Sequence, residues 1–352
     1  MTRAPDGPQL IHLGNAVVDL VVTVPHVPER GGDVIAFGAT SHVGGGFTVM
    51  AAAARHGLPV VYAGMHGSGQ YAEVARAAMR QEGITLLQPP VPEVDTGVVL
   101  TFVDAAGERT FVTLPGAESR LSASALGRVT ARPDDLLYVT GYSLAHEMNR
   151  AALTTWLPRV DPRTVVVVDP GPLVATLPRD ALGIVLDCAD WVTANLQEAR
   201  VLTGEESPTS AALALARRTG RTGVIVRTGG DGCVLVEGDG APVSIPPVPV
   251  TVVDLNGAGD THTGVFMAEI SRGSSAREAA ARANAAAALG VTRRGPATAP
   301  TRQELDAFCE LADGEPDPRE SHGKHQRERR WLRWGENPRE YPVAHPADAQ
   351  DE

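Results

Sequence analysis

The sequence predicts an α/β fold: a doubly wound, mostly parallel sheet with helices on both faces, carrying a small β-sheet lid. Three observations point there. Short apolar, β-branched runs alternate with helical stretches through most of the 352 residues, the rhythm of successive βαβ units. Runs such as "LIHLGNAVVDLVVTV" are apolar enough to lie buried in a sheet covered on both faces. Two regions, 17–42 and 96–114, break the rhythm as antiparallel excursions, enough to build an accessory sheet projecting from the main one.

In chain order, residues 10–24 read as the first buried strand, and "PERGGDVI" as a turn leading into a second extended piece. "TVMAAAARH", residues 48–56, is helical and stops at Gly57, a residue suited to a left-handed C-cap. "LPVVYAG" returns as a strand, and residues 71–82 form the next helix. Strands at 97–103 and 110–114 are joined by the hairpin connection "DAAGE". Further strands fall at 136–141, 164–171, 190–195 and 223–230, with helical stretches between. "CVLVEGDGAPVSIP" adds a hairpin turning at residues 238–240, at a sheet edge. "PVPVTVVD" is β-branched and reads as a strand, whereas "DTHTGVFMAEISRG" reads as a helix stopped by Gly273. Residues 277–290, "REAAARANAAAALG", are a strong helix on propensity, with alanines that permit close packing.

Composition excludes several classes. The net charge of −11 argues against general affinity for nucleic acid, which rests on clustered Lys and Arg. No apolar run reaches the roughly 18 residues of a membrane span, and "MTRAPDGPQL" lacks the apolar segment of a secretory signal. A cytoplasmic protein without a membrane partner is therefore expected. Cys188, Cys233 and Cys309 lie far apart and suggest buried small residues, neither a disulfide framework nor a zinc site. Lys324 is the only lysine and sits in a polar stretch. That excludes a Walker loop, a protein-kinase strand lysine and Schiff-base chemistry. Any phosphate must be held by backbone amides, metal or arginine. Residues 313–352, rich in Pro, Asp, Glu and Arg, read as a polar tail, either solvated or docked on a partner subunit.

The chemically pointed stretch is "DLNGAGDTHTG", residues 254–264. Its glycines fall between a strand-like and a helix-like run. The amides of Gly257, Ala258 and Gly259 would then point outward at a helix N-terminus, an anion site with the helix dipole behind it. Asp260 beside them suits a general base: it takes a proton from a hydroxyl while the amides stabilise the phosphoryl group which that hydroxyl attacks. Read alone, Asp260 equally suits a helix cap, with the glycines only making the turn.

This stretch resembles the C-terminal signature of the ribokinase-like, or PfkB, carbohydrate kinases, D-T-x-G-A-G-D followed by a small residue, an aromatic and a glycine. Leu255 stands where threonine is usual, and His262 where Phe is common. The resemblance extends in family order through "GNAVVDL", "GGGFTVMAAAARHG", "PGAE", "TANLQEARVLTGE", "VRTGGDGCVL" and "NAAAALGVTRRGPATAP". It implies a ribokinase-like kinase domain over residues 9–312, with lid segments near 17–42 and 96–114. The implied reaction moves the γ-phosphoryl group of ATP to a hydroxyl of a sugar or sugar-like polyol.

By the resemblance, Asp260 is the catalytic base, and Gly257, Ala258 and Gly259 form the anion hole. Asn195 and Glu198 of "NLQE" organise Mg²⁺ and the ATP phosphates through water, which suits an ion that keeps part of its hydration shell. Their plainer reading is a cap and a helix glutamate. Thr228 and Gly230 touch phosphate, or merely form a turn between strands. Asn284 lies on the adenine side. Asp254, with carbonyls of "VTRRGPA", resembles a K⁺ site found in some members. On the substrate side, Asp19 hydrogen-bonds sugar hydroxyls with Asn15 nearby, and Gly44 and Gly45 let the substrate lie against backbone. Thr48 stands where a substrate-contacting asparagine is usual; Arg109 and Glu118, in or beside the lid, meet substrate or remain solvated charges. A carboxylate that accepts two adjacent hydroxyls selects polyols, because an analogue lacking them leaves it unpaired. Accessory sheets of this kind often pair between subunits in the family, so a homodimer is expected.

Three competing readings are distinct in chemistry. Gly67, Gly69 and Ala72 make a G-x-G-x-x-A run with Glu93 and Asp95 downstream, as in an NAD-dependent dehydrogenase. A non-catalytic sugar-binding relative would lack a use for Asp260. A nucleoside kinase would share the base, the anion hole and Asp19, but needs an apolar pocket for the nucleobase in a chain only 4% aromatic.

Overall fold

The computed structural model describes residues 7–219 and 221–313. Its strands in chain order are β1 (Leu10–His12), β2 (Ala16–Thr23), β3 (Gly38–Gly45), β4 (Val60–Tyr62), β5 (Thr85–Leu86), β6 (Val98–Val103) and β7 (Arg109–Leu114). β8 (Leu136–Thr140), β9 (Val165–Asp169), β10 (Trp191–Asn195), β11 (Gly223–Arg227), β12 (Cys233–Glu237) and β13 (Val243–Ile245) follow. The main sheet has the order β13-β12-β11-β10-β9-β8-β1-β4-β5. It is parallel from β5 to β11; β12 and β13 run antiparallel at one edge. The chain winds outward from β1 through β4 and β5, then returns to β8 on the other side and winds the opposite way. The carboxyl ends of β1 and β8 thus flank a topological switch point, where ligand crevices open in sheets of this kind.

Alternate residues of the buried strands feed two apolar layers. Leu10, Tyr62, Tyr138, Val167 and Ile225 face the helices Gly46–Arg55, Ala258–Ile270 and Ala276–Val291. Ile11, Leu137, Val168, Val192 and Val226 face the helices Glu147–Trp156, Arg179–Cys188 and Pro208–Thr219. Two-sided burial is why these strands read as continuous apolar runs. Cys233 and Cys309 are buried as expected, and Cys188 is half-buried.

Two expectations need correction. The single strand expected over residues 10–24 is two strands in different sheets. The chain leaves the main sheet after His12 because the Gly14 N–H donates to His12 Nδ1 at 2.9 Å, and a Cβ at Gly14 would overlap that ring. Nor is there a strand over residues 247–254. Pro246, Pro247 and Pro249 lack the N–H that a ladder needs. Val253 and Asp254 instead donate their N–H groups to Val291 O, at 2.8 and 3.1 Å, at the end of the alanine-rich helix. The lid is a four-stranded sheet of order β3-β2-β6-β7. Its two excursions are antiparallel within themselves, as expected, but meet in parallel at β2 and β6. The expected tail beyond residue 313, with Lys324, lies outside the described residues.

A buried charge cluster ties the helices of the first layer together. Glu269 lies 3.2 Å from Arg282 Nε, 3.8 Å from His56 Nδ1 and 3.5 Å from Arg272. Burial alone would raise its proton affinity, but the nearby His56 ring and the arginines bring the carboxyl down to about 2. Removing one partner of a buried pair strands the other, at a cost of about 3–5 kcal/mol. Glu269→Ala should lose that much stability in denaturant unfolding at pH 7. Because the folded-state pKa is depressed, Glu269's contribution is complete above about 4.5 and fades as pH falls toward 2. The deficit of the variant should shrink over the same range.

Candidate active site

The site begins with a backbone constraint. Gly257 has φ +77°, and a Cβ there would overlap the Pro296 carbonyl oxygen and lie 3.0 Å from the Thr48 methyl. Only glycine fits such a pinch. The helix starts immediately after it, at Ala258. Among the described residues, the N–H groups of Gly257, Gly259 and Asp260 have no acceptor, whereas Ala258 N–H donates to Leu255 O through a long 3.3 Å bond. First-turn amides have no partner within their own helix, so this turn presents free donors.

Asp260 sits in that first turn. Its residue surface is half-buried, yet its carboxyl is crowded enough that burial, then the charges of Asp169, Glu198 and Asp19, push its pKa up to about 7 against the pull of Arg227. A carboxyl titrating near neutrality is matched to accepting a hydroxyl proton.

The carboxyl ends of β9, β10 and β11 supply the charges around it. Arg227 Nη1 donates to Thr193 Oγ1 and Thr263 Oγ1, both at 2.8 Å. Its Nη2 donates to Asp169 Oδ2 at 3.0 Å and lies 3.8 Å from Glu198 Oε2. The Arg227 guanidinium also underlies the helix start, with Cζ 3.5 Å from where a Gly259 Cβ would be. Asn195 and Glu198 form a reciprocal capping box: Glu198 N–H donates to Asn195 Oδ1, and Asn195 N–H to Glu198 Oε2, both at 2.8 Å. Glu198 is buried, and desolvation followed by Asp169 raises its proton affinity.

On the lid side, the carboxylate of Asp19 on β2 has no hydrogen-bond partner among the described residues, and burial lifts its pKa to about 6. Gly44 lies against it so closely that a Cβ would strike the carboxylate. Gly45 has φ +61°, and the Asn15 carbonyl accepts the Gly46 N–H at 2.8 Å. Thr48 is buried against Gly257. Asn15, Asp19, Gly44, Gly45 and Thr48 therefore come together at the junction of lid and main sheet. The buried Glu118 carboxylate accepts the N–H groups of Gly97 and Gly116, at 2.8 and 2.7 Å, bracing both strands at the base of the lid. Arg109 reaches Asp254.

On the far side, Thr228 donates both its N–H and its hydroxyl to Gly232 O, and Gly230 is exposed on the same turn. Asn284 uses its amide on the carbonyls of Ile245 and Pro246, at 3.3 and 2.9 Å. His262 is buried with neither ring nitrogen hydrogen-bonded, and burial drives its pKa down to about 3, so it is neutral.

Arg227, Asp169 and Tyr142 were missed by sequence reasoning. Tyr142 follows β8, and its hydroxyl is raised to about 12 by burial and then by the charges of Asp260, Glu198, Asp169 and Asp19. The available signal was position: each follows or ends a strand of the parallel sheet, where sites collect. The dinucleotide run is answered by Asp95, whose two oxygens accept the N–H groups of Tyr71 and Ala72 at 3.1 and 2.8 Å. A Cβ at Gly69 would meet the same carboxylate. That helix start already holds an acid of its own chain, so a pyrophosphate has no place there.

Known proteins agree with this architecture. The chain is 32% identical over 297 residues to the uncharacterized sugar kinase YegV of Escherichia coli strain K12, covering 83% of this chain and 91% of that protein. It is 30% identical over 309 residues to the ribokinase of Haemophilus influenzae, covering 85% and 98%. An Escherichia coli protein solved in complex with ATP and Mg²⁺ superposes with a TM-score of 0.73 at 23% identity, over 86% of this chain and 99% of that one, and so shares its fold. The profile of the pfkB family carbohydrate kinases matches residues 8–303. With that span and those relatives, the chain belongs to the PfkB family of carbohydrate kinases, enzymes that phosphorylate an alcohol group.

Proposed function

We propose that the protein transfers the γ-phosphoryl group of ATP to a hydroxyl of a sugar or sugar-like polyol, with Asp260 as the base. The observation that carries this reading is a carboxyl with a pKa of about 7 in the first turn of a helix whose neighbouring N–H groups lack acceptors. Asp260 takes the proton of the attacking hydroxyl as the bond to phosphorus forms, and the amides of Gly257 and Gly259 stabilise the charge on the phosphoryl oxygens. The Asp19 carboxylate, partnerless and half-desolvated at the lid junction, accepts sugar hydroxyls and orients the acceptor. Thr228, Gly230 and Asn284 lie toward the nucleotide.

Mg²⁺ fits the residues present. Asp169 and Glu198 lie 3.0 and 3.8 Å from the Arg227 guanidinium, and the raised proton affinity of Glu198 and Asp260 comes from burial first and then from the neighbouring carboxylates, charge that a cation would offset. Among the described residues no cluster of His, Cys, Asp and Glu is placed to ligate a metal directly. Asn195 and Glu198 would therefore hold the ion through water. When bound with ATP, Mg²⁺ supplies charge neutralisation at the phosphates.

A homodimer through the lid belongs to the same reading. β7 is exposed along its length, and Phe111, Val112 and Leu114 on it, with Ile35 and Phe37 nearby in sequence to β3, leave large apolar side chains in solvent. An apolar edge strand of this kind is a liability unless another copy covers it.

A coupled ADP-release screen over pentoses, hexoses, their phosphates, nucleosides and cyclitols tests the reaction. At least one polyol should be turned over; nucleosides alone as substrates would select the nucleoside-kinase reading. Asp260→Asn should lower kcat about a hundredfold to ten-thousandfold while keeping ATP affinity. In the wild type, kcat/KM should rise with pH through an inflection near 7 that the variant lacks. The same group gives an opposite stability signal. Its folded-state pKa is raised, so the ionised carboxylate destabilises the fold above about 4 and most fully above 7. Asp260→Asn should thus melt higher than wild type at pH 8, with the gain disappearing below pH 4. Sedimentation should give a dimer, and Phe111→Asp a monomer.

A further inference from the structure

The lid meets the phosphate-facing loop through a charged contact. Arg109 opens β7, and its Nη2 donates to Asp254 Oδ1 at 3.1 Å. The same carboxylate accepts the Asn256 N–H on Oδ1 at 3.0 Å and the Gly295 N–H on Oδ2 at 3.2 Å. Burial raises the proton affinity of this carboxyl, but those two N–H groups and the guanidinium outweigh it and hold Asp254 below the usual carboxylate range. It is an anion at neutral pH. Oδ1 of Asp254 carries two N–H donors, one of them cationic, and Oδ2 carries a third, so a monovalent cation would find one lone pair of this carboxylate left and a guanidinium charge beside it. This donor set does not fit a K⁺ site at Asp254.

We propose that Arg109 is a positioning residue that takes the place of a monovalent cation at Asp254, latching the lid onto the loop that leads into Gly257, Ala258 and Gly259. For turnover this rests on the kinase reading; the contact itself does not. Asp254 binds the turn on one side through Asn256 and the loop returning from the alanine-rich helix on the other through Gly295. A lid closed through Arg109 therefore tightens the segment that carries the partnerless amides. The Arg109 and Asp254 side chains are 41% and 17% exposed, so the pair biases the lid without freezing it. Ion pairs of this exposure shift an equilibrium about twofold to fivefold.

Hydrogen exchange of the full chain, followed at β7 and at residues 252–259, reads the latch directly. Wild-type protection should be the same in KCl and in tetramethylammonium chloride of equal ionic strength. Arg109→Ala should exchange about twofold to fivefold faster at both segments, and Arg109→Lys should recover part of the protection. With an accepted sugar, Arg109→Ala should raise KM by a similar factor and change kcat less. Unaltered exchange at residues 252–259 in Arg109→Ala, or wild-type protection that strengthens in KCl, overturns the proposal. Should no sugar be phosphorylated, the kinase reading falls while the exchange result still decides the latch.

Discussion

The site depends on the pinched turn at Gly257. With its φ in the left-handed region and its α-carbon pressed against the Pro296 carbonyl and the Thr48 methyl, this residue fixes where the helix begins and which way its first amides point. The helix behind it is immobilised by close packing on small residues. Gly264 lies so near the Gly46–Arg55 helix that a Cβ would come within 2.7 Å of Ala52 Cβ, and Ala279, Ala280, Ala283 and Ala286 are fully buried on the neighbouring helix. Packing at that density leaves the partnerless donors little freedom to turn away.

Electrostatics set the second constraint. The charges of Asp169, Glu198 and Asp19 act on Asp260, and Arg227 at the end of β11 is committed to Asp169 and two threonine hydroxyls. Arg227 holds the strand ends β9 and β10 and the helix Ala258–Ile270 in register, so it serves as a brace as well as a charge. Glu198, Asp19 and Asp260 are left with raised proton affinity, Asp19 on the lid and Asp260 at the helix start. In the proposed reaction Asp19 orients hydroxyls and Asp260 accepts a proton, a division of labour that environment imposes on identical side chains.

The lid is tied down at two points. Glu118 braces its base by accepting one N–H from each of the residues Gly97 and Gly116, and a Cβ at Gly97 would displace that carboxylate. Arg109 anchors the end of β7 on Asp254. Two acids far apart in sequence thus act on the same lid, one through neutral amides in the interior and one through a charge pair near solvent.

Much of this was legible in the sequence because it is local. Period and propensity give the alternation of strands and helices, and the run of residues 254–264 gives a glycine turn beside an acid at a helix start. The split of residues 10–24 was not legible, since an apolar run does not say which sheet each half joins; Gly14 and His12 settle that through a contact. The strand expected over residues 247–254 failed because its prolines cannot donate, a local rule outweighed in reading by the β-branched residues between them. Arg227, Asp169 and Tyr142 were invisible as a group because each lies on a different strand end. By itself, then, the sequence determined the fold class and the glycine–aspartate device, whose physics is written in neighbouring residues. Only the tertiary structure decided which carboxylates lie near one another's charge, which of them an arginine answers, and which amides stay unpaired, because charge and hydrogen bonding depend on distance through space rather than along the chain.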